Sequence, residues 1–388
     1  MTHARRFRTV ALIGVVLLVL GVTAAGYLRL GPFAPLTSQS TPTSLFFPSF
    51  ATAEFKDLQA VSADSAWVSA TTPDGQALQY ATSNGGRSWH ELTIPQGVVT
   101  HKYGMEMIDK SDGLIQLDRG LLSTVNGGAS WDVVPLPPGQ TFGLGAHFLD
   151  SKRGWYQDLA AYPDQAAQPS SMWWTSNGGA LWSVLWQVNT DHPAAGAIPL
   201  VGAKFVLAFD GTNGWLTVRQ GDAERLLETI NGGSSWSSTS LPISDPVGMI
   251  DFRFVGDDSA ILVARGGSGW WALRSRDGGR TWMDARTLPM SIPPGSGAYD
   301  RPALMDSDHW LVADGLVIHA TSDGGSKWQD IHPRLPSGIV ALHDLWLFRG
   351  GKGWATGADA SLGYHVLTTS DGGSTWTLSA VPHLGLTS

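Results

Sequence analysis

The sequence predicts an all-β protein: a seven-bladed β-propeller of four-stranded blades, preceded by one N-terminal transmembrane helix. Three observations carry this reading. One eight-residue motif recurs seven times. The 388 residues include 47 Gly and 18 Trp, which fits many tight turns joining flat, packed surfaces. An uncharged apolar run near the N-terminus is long enough to cross a bilayer.

The N-terminal run comes first. Arg5, Arg6 and Arg8 precede apolar residues from Val10 to Leu28 that carry no charge. At a helical rise these 19 residues just cover a hydrocarbon core about 30 Å thick. The basic flank stays in the cytoplasm, so the rest of the chain is exported. Residues 1–9 thus read as a cytoplasmic basic tail and 10–28 as a transmembrane signal-anchor. The competing reading is a cleaved signal peptide, with Val22-Thr23-Ala24 before a cut at Ala25, which makes the body secreted. The run is longer than a usual signal core, which favours the anchor.

Residues 29–50 read as a linker. Gly31, Pro32, Pro35, Pro42 and Pro48 sit among Ser and Thr with no amphipathic period. Without Arg5, Arg6, Arg8 and Arg29, the exported part has 21 bases against 33 acids, a net charge of −12. An acidic body argues against nucleic acid or anionic lipid as the partner. The chain has no Cys, which excludes disulfides, thiolate metal sites and cysteine nucleophiles.

The repeats begin after residue 50. The motif is Thr or Ser, any residue, Asn or Asp, Gly-Gly, two residues, Trp. Its copies run from Thr82 to Trp89, Thr124 to Trp131, Thr175 to Trp182, Thr229 to Trp236, Ser275 to Trp282, Thr321 to Trp328 and Thr369 to Trp376. Successive Trp residues are 42, 51, 54, 46, 46 and 48 apart. Each residue type has a reason. Asn84, Asn126, Asn177, Asn231, Asp277, Asp323 and Asp371 can accept backbone N–H groups and close a turn. The glycines supply positive φ. Trp89, Trp131, Trp182, Trp236, Trp282, Trp328 and Trp376 are apolar plugs that anchor each loop to its own unit. Apolar β-prone runs on both sides make each copy a hairpin.

A second signature lies upstream: a polar turn, a small residue, then Trp and a β run. It appears at Asp64-Ser-Ala-Trp67, Asp150 to Trp155, Asp210 to Trp215, Asp306 to Trp310 and Gly350 to Trp354. Each unit therefore has four strands, repeated every 42 to 54 residues, as in a propeller blade. Residues 51–388 form the seven-bladed propeller on this reading. Closing the ring removes exposed sheet edges.

These copies resemble Asp-box repeats, also called bacterial neuraminidase repeats. With the turn-Gly-Trp signature, the pattern is similar to the photosystem II assembly and stability factor-like family of seven-bladed propellers. The resemblance covers about residues 51–388. It implies a structural role for the Asp box. Four copies carry Asn instead of Asp, Leu181 and Lys327 replace the Ser or Thr before the Trp, and the lipid-modified Cys of cyanobacterial members is absent.

Function is expected on the face opposite the repeated turns. There the second-to-third loops and the inter-blade loops vary in length, and variable loops on a rigid scaffold carry binding. Tyr162, Asp164, Asp191, His192, Tyr299, Asp300 and Arg301 are the binding candidates on that face. Trp173-Trp174 and Trp270-Trp271 read as core, because each blade packs on both sides. No His-Glu-x-x-His, calcium loop, nucleophile elbow or phosphate loop occurs. We therefore expect no catalytic residue, no metal and no cofactor. The expected protein is an extracytoplasmic, membrane-anchored, monomeric and non-catalytic binder of assembly-factor or scaffold type. Its partner is a protein, with a glycan as second class. The alternative is a sialidase-like glycoside hydrolase, which needs an arginine cluster and a Tyr nucleophile.

Overall fold

A computed structural model describes residues 54–71, 77–95, 102–117, 120–140, 145–158, 169–192, 194–220, 223–244, 248–255, 259–266, 269–290, 302–361 and 363–382. The basic tail, the anchor at 10–28 and the linker at 29–50 lie outside these residues. Among the described residues, no helix is long and apolar enough to cross a membrane.

Seven four-stranded antiparallel sheets follow one another along the chain. They span 54–91, 102–134, 146–188, 203–239, 248–288, 303–331 and 339–378. Within each sheet the strand order is the chain order, so every blade is one continuous meander. A small hairpin, Ala194–Ala195 with Ile198–Pro199, separates blades 3 and 4.

Period-2 alternation sends each strand's side chains to two different neighbours. The core therefore divides into seven clusters, one at each blade interface. Trp67, Met105 and Trp131 join blades 1 and 2, and Leu114, Val134 and Phe148 join blades 2 and 3. Trp155, Trp186 and Leu216 join blades 3 and 4, and Trp215, Phe252 and Trp282 join blades 4 and 5. Trp270, Trp310 and Leu304 join blades 5 and 6, and Ala313, Leu342 and Trp376 join blades 6 and 7. The seventh cluster, with Leu58, Tyr80, Trp354 and Val366, joins blade 7 to blade 1 and closes the ring. Consecutive tryptophans split accordingly. Trp173 packs at the 2–3 interface and Trp174 at 3–4, while Trp271 packs at 4–5 and Trp270 at 5–6.

Closure uses blade contacts. Trp354 Nε1 donates to Ser62 O at 3.0 Å, and Ser379 Oγ donates to Gly86 O at 2.9 Å while accepting Trp89 Nε1 at 2.9 Å. The four described strands of blade 1 all come from residues 54–91, and those of blade 7 from 339–378.

The seven Gly-Gly loops share one hydrogen-bond plan. The Thr or Ser hydroxyl donates to the Asn or Asp Oδ1 at 2.8–3.0 Å. The same hydroxyl accepts the N–H of the second glycine at 2.7–3.2 Å. Oδ1 also accepts the backbone N–H four residues on, at 2.8–3.0 Å. That last donor belongs to the main chain, so Leu181 and Lys327 are tolerated where other copies have Ser or Thr.

The motif tryptophans do more than anchor each loop to its own blade, where Trp182 meets Phe148 and Tyr156 edge-on at 6.0 and 6.3 Å and Trp282 meets Phe252 at 5.6 Å. Each packs into the interface with the preceding blade: Trp131 against blade 1, Trp182 against blade 2, Trp236 against blade 3. Trp182 Nε1 donates to Pro135 O of blade 2 at 2.8 Å.

Candidate functional site

The repeated turns occupy one face. In six blades the first loop glycine donates its N–H to a carbonyl of the same blade's first-to-second turn. Gly85 N to Asp64 O is 2.9 Å, Gly127 N to Ser111 O is 2.8 Å, and Gly232 N to Thr212 O is 2.7 Å. The Asp residues of these turns are consumed locally: Asp109, Asp150, Asp210 and Asp306 each accept two backbone N–H groups through Oδ1. Burial works to raise the Asp150 and Asp306 carboxyls, but these hydrogen bonds outweigh it and hold both below the usual range. The second-to-third turns and the inter-blade loops lie on the opposite face by strand direction.

Of the binding candidates on that loop face, Tyr162, Asp164, Tyr299, Asp300 and Arg301 lie outside the described residues. Asp191 and His192 are described, and both are exposed. Their turn is held by Asn189, whose Oδ1 accepts Asp191 N at 3.0 Å and His192 N at 2.8 Å. These two bonds fix the backbone of the turn.

The structure brings together a group that sequence reading did not single out. Phe55, at the loop-face end of the first strand of blade 1, stacks on Tyr364 at 5.9 Å. Tyr364 begins the third strand of blade 7 and also meets the His343 ring at 5.4 Å. Tyr364 keeps 38% of its surface exposed. Leu316, in the blade 6 turn, and Val340, at the start of blade 7, are 51% and 48% exposed. The blade 6 turn that carries Leu316 is docked on blade 7 by Leu342 N donating to Gly315 O at 2.9 Å. The aromatic group of Phe55, Tyr364 and His343 thus spans blades 7 and 1. At the adjoining blade 7 turn, Asp359 accepts N–H from Ser361 and Gly363 and pairs with His365 Nε2 at 2.9 Å. The His365 bond, then the two backbone bonds, hold the Asp359 carboxyl below its usual range.

Polar side chains also lock the inner strands. Gln116 Nε2 donates to Ala146 O at 2.8 Å while its Oε1 accepts Gly145 N at 3.2 Å. Gln157 does the same one blade on, donating to Lys204 O and accepting Val206 N at 2.7 Å. Lys204 is buried, with Nζ donating to Leu200 O at 2.9 Å and Gly202 O at 2.6 Å. Burial pushes its ammonium down to about 8. His147 Nδ1 and Glu106 Oε2 meet at 3.2 Å between blades 2 and 3. No cluster of three or more metal-ligating side chains occurs among the described residues. The described chemistry of the loop face is stacking, apolar contact and hydrogen bonding.

No family model matches the chain. It is 28% identical over 118 residues to the chloroplastic photosystem II stability/assembly factor HCF136 of Oryza sativa subsp. japonica. That match covers 28% of this chain and 26% of the rice protein, about a quarter of its length. It is 24% identical over 274 residues to the photosystem II assembly lipoprotein Ycf48 of Synechococcus sp. (strain CC9902), covering 69% of this chain and 72% of the relative. The chain is a weak homologue of the Ycf48 and HCF136 assembly factors. Among solved structures, a YCF48 chain bound to D1 peptide aligns over 82% of this chain and 93% of its own, with 17% identity and a TM-score of 0.48. A puromycin hydrolase aligns over 84% of this chain and 53% of its own, with 12% identity and a TM-score of 0.56. At that identity the hydrolase match speaks to fold alone.

Proposed function

We propose that this protein is a non-catalytic propeller that binds a protein partner through its loop face, as an assembly factor or scaffold. The observation that carries the reading is the homology to Ycf48 across 72% of that protein's length. Ycf48 is a photosystem II assembly lipoprotein, and a YCF48 chain has been solved with a D1 peptide bound. The sequence relationship supports a protein partner here. The aromatic surface of Phe55, Tyr364 and His343 has the composition of a docking centre, where aromatic anchors dominate and polar groups ring them.

The rest of the architecture belongs to the same proposal. Residues 1–9 are the cytoplasmic tail, 10–28 the membrane anchor, 29–50 the Pro/Ser/Thr-rich linker, and 51–388 the exported body. The anchor holds the body near membrane-protein partners. Tyr162, Asp164, Asp191, His192, Tyr299, Asp300 and Arg301 add polar and aromatic contacts around the docking face.

The test is affinity capture with the full chain in detergent-solubilised membranes of the native host. One control carries Ala at Phe55 and Tyr364, another carries Ala at Tyr162, Tyr299 and Arg301. A defined membrane protein recovered with the unaltered chain and lost with a control supports the reading. Equal recovery by all three sinks loop-face docking. Recovery of nothing brings glycan arrays and glycosidase assays forward.

A further inference from the structure

The chain contains five Asn-Gly pairs, at Asn84, Asn126, Asn177, Asn213 and Asn231. Glycine after asparagine leaves its backbone nitrogen unshielded by a side chain, so this dipeptide is chemically prone to lose ammonia through a cyclic imide. In four of the five, the side-chain amide nitrogen is held. Asn84, Asn126 and Asn231 donate to Ser88, Ser130 and Ser235 hydroxyls at 2.7, 2.9 and 2.8 Å. Asn213 donates to Asp210 Oδ2 at 3.0 Å. At Asn177 the residue four places on is Leu181, which offers no acceptor and is 74% exposed. The Asn177 amide nitrogen has no hydrogen-bond partner among the described residues.

The rest of the Asn177 loop matches its siblings. Oδ1 accepts Thr175 Oγ1 at 3.0 Å and Leu181 N at 2.9 Å. Gly178 N donates to Lys152 O at 2.8 Å, as Gly127 N donates to Ser111 O at 2.8 Å. Turning Cγ toward the glycine nitrogen breaks three side-chain bonds at Asn84, Asn126 or Asn231, but two at Asn177.

We infer that Asn177 is a modification site, the asparagine of the folded chain that deamidates first. The Gly178 nitrogen attacks Asn177 Cγ and gives up its proton to solvent. The Cγ–N bond breaks and ammonia leaves with a proton. Water then opens the succinimide at either carbonyl, yielding aspartate or isoaspartate. The aspartate product fits the loop, because Asp277, Asp323 and Asp371 make the same Oδ1 bonds in theirs. The isoaspartate product adds a main-chain carbon between Thr175 and Gly179 and cannot keep both bonds. It is a substrate for the class of enzyme that methylates isoaspartyl carboxyls.

The experiment is a time course of the full chain in detergent at mildly alkaline pH, read by peptide mass mapping. Isoaspartate is counted with an isoaspartyl methyltransferase and labelled methyl donor. Asn177 is expected to convert about fivefold faster than Asn84, Asn126 and Asn231, the factor that one ordinary hydrogen bond is worth. Leu181→Ser restores the acceptor and brings Asn177 level with its siblings. In denaturant all five pairs convert at similar rates. Equal rates in the folded chain, another asparagine leading, or a Leu181→Ser variant that leaves Asn177 unchanged each overturn the inference.

Discussion

Trp310 stands opposite Thr321, whereas Trp354 stands opposite Thr368, one residue short of the equivalent Thr369. A shift of one residue in a strand sends a side chain to the other face. Trp354 accordingly reaches forward to blade 1, while Trp310 reaches back to blade 5. Trp67, Trp155 and Trp215 follow Trp354, since each sits opposite the residue before its loop threonine. In blade 6 the forward position falls to Leu311, which packs at the 6–7 interface. The two tryptophans thus fill different interfaces. Trp310→Ala and Trp354→Ala are each expected to destabilise by about 3–5 kcal/mol. Their effects should add in the double variant, because they share no partner. Denaturant titrations of both singles and the double check this, and strong coupling would contradict the separation.

The loop glycines divide by what lies over them. A Cβ on Gly279, at φ +93°, would stand 2.8 Å from the Trp215 ring, and Trp215 Nε1 is bonded to Gly279 O at 3.0 Å. A Cβ on Gly372, at φ +74°, meets nothing within 4 Å. Gly372→Ala meets only the left-handed backbone strain, about 1–2 kcal/mol. Gly279→Ala adds the clash at the 4–5 interface and is expected to cost at least about 3 kcal/mol. Similar melting points for the two variants would show that the interface yields.

Acid sensitivity should concentrate in blades 5 to 7, whose loops carry Asp where the others carry Asn. Backbone N–H from Lys327 and Thr375 holds the Asp323 and Asp371 carboxyls down. At Asp277 burial opposes the shift, and hydrogen bonds from Thr281 and Ser275 overcome it. A carboxyl lowered in the folded state stabilises above the usual value of 3.8, and that stability is lost as pH falls through the lowered value. Asn at all three positions keeps the loop geometry and removes the titration. The triple variant should show a flatter fall of melting point below about pH 4. An unchanged acid limb would place the sensitivity elsewhere.

Lys204 sets the opposite limb. Burial lowers it from 10.5 to about 8, so the unfolded chain holds the proton more tightly than the folded one between those values. Stability contributed by this group rises as pH climbs from about 8 towards 10. Lys204→Met removes the titration, and its melting profile should lack that rise. A rise that persists in the variant would assign it to another group.

A partner recovered as proposed above makes a further demand. Tyr364→Ala should weaken its binding about tenfold or more, as for an aromatic anchor at an interface centre. Tyr364→Phe keeps the ring and should retain most of the affinity. Isothermal titration with the recovered partner separates the two.

By itself the sequence determined the blades. Asn or Asp, paired glycines and a tryptophan at fixed spacing specify a local turn whose hydrogen bonds close within eight residues, so seven copies announce seven hairpins. Period-2 apolar runs around them specify strands, and the assignment of Trp173 and Trp174 to two blade interfaces, where both are partly buried, follows because neighbours in a strand must face two blades. What only the tertiary structure decided is everything that crosses an interface. The loop tryptophans also reach the preceding blade, and Trp310 faces backwards. Phe55 meets Tyr364 from opposite ends of the chain, since the ring must close before its first and last blades touch. Spacing along a chain encodes contacts within a meander. It carries no record of which neighbour a closed ring will bring.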